Sequence, residues 1–179
     1  MQDSSSEAIL LVLTSGAVKD YGIEPEPPVD ADRIPVTDAQ RRGVFDPMTG
    51  SMLHVGGSSE LLSPDSCRTG AAIFDGRMRY NLQFSYTRME QVKSEKGYAG
   101  PVVACAVYFQ PQAGYVPHRS SIKYLMAQRD MEVWLAPVAG TRVLVPYRVS
   151  IPTPIGVGMM QATQFVSVAQ PHAAAMKTP

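Results

Sequence analysis

The chain has few of the residues from which most catalytic and metal-binding sites are built. Its 179 residues include two cysteines, one tryptophan and three histidines. Two cysteines make no zinc pattern, and His54, His118 and His172 are scattered without metal-ligand spacing. No glycine-rich loop leads from a strand into a helix to cradle phosphate; Gly56 and Gly57 lead only into Ser58 and Ser59. Neither a metal nor another cofactor is expected. Net charge is missing as well. Sixteen basic and sixteen acidic residues balance to zero, which argues against nucleic acid, because phosphate binding needs a concentrated positive surface. The apolar run Ala8–Leu13 is far too short for a transmembrane segment. It also lacks the positive stretch before it and the small-residue cleavage site after it that mark a signal peptide.

What is abundant is punctuation. Fifteen prolines and fourteen glycines fall between apolar runs, helical periods are scarce, and no internal repeat occurs. That composition suits a mainly β protein with many turns. Residues Arg129–Val168 carry the clearest pattern: three strands joined by two short turns. Met131, Val133 and Leu135 alternate with Glu132 and Trp134. Val143, Val145, Tyr147, Val149 and Ile151 alternate with Leu144, Arg148 and Ser150. In the third run Met160, Ala162, Val166 and Val168 stand opposite Met159, Gln161, Thr163 and Phe165. Period-two alternation of this length predicts strands. Gly140 supplies the positive φ of the first turn, while Pro152, Pro154 and Gly156 separate the second and third strands.

Upstream, Glu7–Thr14 and Val18–Ile23 read as strands around a Ser15-Gly16 turn, and the prolines at 25, 27 and 28 end regular structure. Thr37 caps a short turn over Asp38–Arg42. Asp46-Pro47 starts a helix expected to run to about Leu53. Asp75-Gly76 predicts a hairpin between Ala71–Phe74 and a strand Arg77–Gln91, with Met78, Tyr80, Leu82, Phe84 and Tyr86 in the core and Arg79, Asn81, Gln83 and Ser85 in water. A further strand, Val102–Gln110, and a short helix or irregular crossing over Ser120–Gln128 complete the reading.

Three stretches carry a resemblance. They are IPVTDAQRRGVFDP (Ile34–Pro47), IFDGRMRYNLQFSYTRMEQVKSEKGYAGPVVACAVYFQPQAGY (Ile73–Tyr115) and RDMEVWLAPVAGTRVLVPYRVSIPTPIG (Arg129–Gly156). In length and order they resemble the bacterial exported-protein family of domain of unknown function 3108, in its alphaproteobacterial branch. The resemblance implies a periplasmic protein with a large curved antiparallel sheet or open barrel, carrying short helical turns. It implies no activity. It also implies a signal peptide and further strands upstream of Met1, so residues 1–170 are expected to be a single β domain forming the C-terminal portion of a larger one, with 171–179 a disordered tail. An apolar strand at Glu7–Thr14 without its upstream neighbours would be prone to self-association along its edge.

On export, Cys67 and Cys105 would pair as a disulfide; in a reducing compartment they would be two small hydrophobes. A cysteine–histidine nucleophile would need His54 or His118 beside a reactive thiolate, and no local signature supports that. Asp38, Arg41, Arg42, Asp46 and Arg77 read more simply as caps and exposed ion pairs than as a polar cluster. No catalytic residue is assigned. The candidate ligand-binding residues are Trp134, Tyr147 and Arg148, with Trp134 either lining a groove or packing under a loop. The expected function is a non-catalytic envelope module that binds a lipid or glycan or serves a structural role; the alternative is an envelope hydrolase with a polar pocket.

Overall fold

The structure, a computed structural model, describes residues 9–14, 17–23, 30–57 and 60–167, and side chains from residue 30 onward. Contacts divide the chain into two units at Arg33/Ile34. In the first, β1 (Ile9–Thr14) and β2 (Ala17–Ile23) pair antiparallel, with the register shifting at Val12/Leu13. The expected tail at 171–179, including His172, lies outside the described residues.

The second unit is built on a seven-stranded antiparallel sheet that does not close. In chain order its elements are α1 (Pro47–Gly50), β3 (Leu53–His54), β4 (Gly70–Phe74), β5 (Arg79–Lys93), β6 (Lys96–Gly97), β7 (Ala99–Ala113), α2 (Ser120–Ala127), β8 (Glu132–Pro137), β9 (Val143–Thr153), β10 (Gly156–Gln161) and β11 (Gln164–Phe165). Across the sheet the order is β10-β9-β8-β7-β5-β4, and β3 shares the outer edge of β9 with β10. Between those two neighbours stands Pro146, which has no N–H to offer a partner strand. The β6–β11 pair is parallel and ties the tip of the β5–β7 hairpin to the chain after β10. There Gly97 has φ +100°, and a Cβ on it would fall 2.0 Å from the carbonyl oxygen of Phe165, so only glycine lets the two backbones approach.

Local chemistry explains the turns. The Asp75 carboxylate accepts from the N–H groups of Arg77 and Met78 at 2.8 and 2.7 Å, closing the β4–β5 hairpin at the expected Asp-Gly step. Gly140 adopts φ 73° between β8 and β9, as its position requires. Asp46 caps α1 through the N–H groups of Met48 and Thr49. That helix ends at Gly50, however, not near Leu53 as expected. Gly50 packs against Ile73, where a Cβ would lie 2.7 Å from Cγ1, and Leu53 leaves to pair with Leu144 in the sheet. Burial of Leu53 in the core outweighs the short helix's propensity.

One face of the sheet carries the main core. Ile73, Phe84, Val103, Cys105, Val133, Leu135 and Leu144 meet Leu53, Val55 and Cys67 from the chain that crosses over them. A single 3₁₀ turn, Pro64–Cys67, delivers Cys67 to this layer; Ser63 and Ser66 bond reciprocally across it. Cys67 is joined to Cys105 by a disulfide, with Cα atoms 5.7 Å apart and both residues fully buried. A smaller cluster of Val102, Ala136 and Tyr147 lies on the other face, with Trp134, Tyr98 and Phe165 packed around it.

The register of the sheet shifts at three places, at Arg79/Tyr80, at Tyr86/Arg88 and at Trp134/Leu135, and the last two reset the alternation expected along β5 and β9. In β5 the register shifts between Tyr86 and Arg88, so Thr87 has no partner in β7. Tyr86, expected in the core, is 38% exposed, because β4 covers β5 only as far as Gln83. In β9 the pairing passes from Pro146 to Arg148 across Leu135 and Trp134, leaving Tyr147 as the inserted residue. Tyr147 therefore joins the smaller cluster, whereas Leu144 and Val149 belong to the main core. The third expected strand is also interrupted: β10 stops at Gln161 and β11 begins at Gln164.

Candidate functional site

Beyond the disulfide the core face is left uncovered, and the sheet forms a groove with a cavity volume of about 320 Å³. Its floor is the continuation of the core rows: Tyr80, Leu82 and Phe84 on β5, Val107 and Phe109 on β7. Val133 on β8 and Val149 and Ile151 on β9 extend it across the sheet, and Leu125 of α2 reaches in from the connection between β7 and β8. Tyr80 and Phe109 hold their ring centroids 5.3 Å apart. Most of these side chains are only half-buried although they pack against the core. A contiguous apolar surface of this kind marks an interaction site more often than scattered exposed hydrophobics do.

The polar side chains lining the groove are few and mostly engaged. Ser51 donates its hydroxyl to the Met48 carbonyl at 2.7 Å, and Asp75 holds the hairpin turn. Glu132 belongs to a network on the opposite face, and Ser150 stands beside it across β9. Burial raises the Tyr80 phenol above its ordinary value, and the charge of Asp75 raises it further.

That opposite face holds a polar network centred on Arg88 and Glu132. Arg88 grips Glu132 through both guanidinium N–H₂ groups, at 2.5 and 3.1 Å, and turns its Nε to Glu90 at 2.6 Å. Trp134 donates its indole N–H to Glu132 at 2.6 Å. The guanidinium carbons of Arg88 and Arg148 lie 5.5 and 4.6 Å from the Trp134 ring centre. The hydrogen bonds that Arg88 donates to Glu132 and Glu90 raise its pKa above the ordinary value. Burial pushes the Glu132 carboxyl up, but the hydrogen bonds from Arg88 and Trp134 and the charges of Arg88 and Arg148 outweigh it, so its pKa is lowered.

A group with a depressed folded pKa stabilises the fold above its unfolded pKa, and the contribution is lost as pH falls. For Glu132 that loss sets in around and below the ordinary value of 4.5. Glu132→Gln should therefore flatten the acid limb of a pH series of denaturation midpoints relative to wild type. Parallel acid limbs would show that the network does not hold the carboxylate in solution.

The family model described as Protein of unknown function (DUF3108) matches residues 11–163. The chain belongs to the DUF3108 family. Comparison with curated proteins and with solved structures returns no match. In this DUF3108 chain the candidate residues Trp134 and Arg148 are stacked on one another, and Tyr147 lies buried beside them. None of the three lines the apolar groove. Arg88, Glu90 and Glu132 were missed from sequence; Glu132 two residues before Trp134 was the available signal, but Arg88 lies 44 residues upstream of it. His54 and His118 do not line the groove either, and both cysteines are spent in the disulfide. Among the described residues no helix is long and apolar enough to cross a membrane.

Proposed function

We propose that this DUF3108 protein is an exported, non-catalytic binding module that holds a lipid acyl chain in the groove over β5, β7, β8 and β9. The observation that carries the reading is the groove itself: the core face continues past its cover as a half-buried apolar floor. Its cavity volume is at the lower end of the roughly 300–1,000 Å³ typical of small-ligand clefts. A hydrolase would need a nucleophile and base converging there. The lining offers Ser51 and Asp75, each already engaged by its own turn, which favours holding a ligand over turning it over. Export is supported by the Cys67–Cys105 disulfide, a linkage that persists in oxidising compartments such as the periplasm.

Native mass spectrometry of the protein expressed in a bacterial periplasm tests the reading. Wild type should carry a retained mass released by organic solvent. Ile151→Asp, which puts a charge at the 38% exposed rim of the groove, should lose it while keeping the wild-type circular dichroism spectrum. Retention of the same mass by the variant would place the ligand elsewhere.

A second reading takes the other face. The Arg148 guanidinium has no carboxylate within ion-pair distance among the described residues, and the Tyr147 hydroxyl is buried without a hydrogen-bond partner there. Trp134, Tyr147 and Arg148 would then receive a glycan. Protection of Trp134 fluorescence from iodide by added envelope glycan supports this reading; unchanged quenching removes it.

A further inference from the structure

The groove has charges of only one sign. Among the described residues lining it, Asp75 presents the ionised side chain and no lysine or arginine is present, while Glu132 borders the groove with its carboxylate turned to the opposite face. The nearest strong cation to Glu132 is Arg88, and its guanidinium is occupied by Glu132 and Glu90 together. Asp75 stands on the β4–β5 turn, and both of its backbone hydrogen bonds fall on Oδ1, which leaves Oδ2 as an acceptor. Its negative potential reaches the groove, for it raises the phenol pKa of Tyr80, itself a lining residue.

We propose that the groove takes an acyl chain whose head group is uncharged and bears hydroxyls, and that it discriminates against anionic heads. The proposal rests on the acyl-chain reading above. A fatty-acid carboxylate brought to this rim meets the Asp75 carboxylate with no lysine or arginine among the described lining residues to offset it, an unfavourable like-charge pair. A hydroxyl-bearing head meets an acceptor instead, and donates to Asp75 Oδ2. Apolar contact then supplies the affinity and the rim supplies the choice of head group.

Isothermal titration calorimetry of the full chain with monolaurin and with laurate, each below its critical micelle concentration at mildly alkaline pH, decides the matter. The two probes share a chain and differ in the head. Monolaurin should bind and laurate should bind at least about tenfold more weakly, the scale of one modest unfavourable charge contact. Asp75→Asn keeps the Oδ1 acceptor of the turn, removes the charge and replaces Oδ2 by an N–H₂ donor, so it should narrow the gap from both sides, improving laurate and weakening monolaurin. Equal affinities, tighter binding of laurate, or an unchanged gap in Asp75→Asn would overturn the head-group assignment and leave the acyl-chain reading standing. Failure of both probes to bind would overturn that reading and this inference with it.

Discussion

Replacing both half-cystines, as Cys67→Ala with Cys105→Ala, should lower the unfolding free energy by about 4 kcal/mol, the chain-entropy value for a loop of this length. The bridge spans 38 residues and joins the 3₁₀ turn Pro64–Cys67 to the central strand β7. It therefore restrains the unfolded chain across β4, β5 and the β5–β7 turn. In the folded state it fastens the cover made by Leu53, Val55, Leu61, Leu62 and Cys67 to the sheet. The effect appears as a lower urea midpoint for the double variant, and as a matching shift for wild type unfolded in the presence of reductant. A variant within about 1 kcal/mol of wild type would mean that packing of the fully buried residues holds the layer without the bridge.

How much of this was legible beforehand depends on which physical signal each feature leaves in the chain. Strands β5, β8 and β9 announce themselves through alternation, and the turns through Asp75-Gly76 and Gly140, because each turn chemistry is local. The bulges leave no such trace. Thr87 and Tyr147 are ordinary strand residues, and only the partner strand shows that each is one residue too many. That is why alternation assigns Tyr147 to the row of Val149 and would carry Arg88 on in the row of Phe84, whereas Tyr86, before the bulge, keeps that row and is exposed only because β4 ends beside Gln83. Leu53 was misplaced for another reason. Its helix signal is local, whereas its pairing with Leu144 bridges a sequence separation no local pattern reports.

The site divides in the same way. Trp134 and Arg148 could be picked from their strands because each is a polar-capable residue on a strand's less apolar row, and the β8–β9 hairpin brings them opposite each other. Arg88 could not. It reaches Glu132 and Trp134 only because β7 lies between β5 and β8, with Ala104 paired to Arg88 on one side and Trp134 on the other. The small Ala104 leaves room for the long side chains to meet above it. The groove was legible only as a surplus of apolar strand surface. Its location required knowing where the cover formed by Leu53, Val55, Leu61, Leu62 and Cys67 stops.

Phe84→Ala should cost about 3–5 kcal/mol, the range for truncating a buried aromatic residue. Phe84 is 5% exposed and sits where the covered core gives way to the open groove. Its ring is thus part of both, and its loss opens a void toward the disulfide as well as the groove. Its neighbours on β5 set the controls. Gln83 faces water and donates to the Thr69 carbonyl at 2.9 Å, so Gln83→Ala should cost no more than about 1 kcal/mol, the net worth of an exposed hydrogen bond. Leu82 shares the Phe84 row but stays half-buried in the groove, so Leu82→Ala should fall near or below about 2 kcal/mol, the low end for leucine truncation. The ordering Phe84 > Leu82 > Gln83 in urea midpoints is the measurable claim. If Leu82→Ala matched Phe84→Ala, the groove would be closed in solution and its floor would be core.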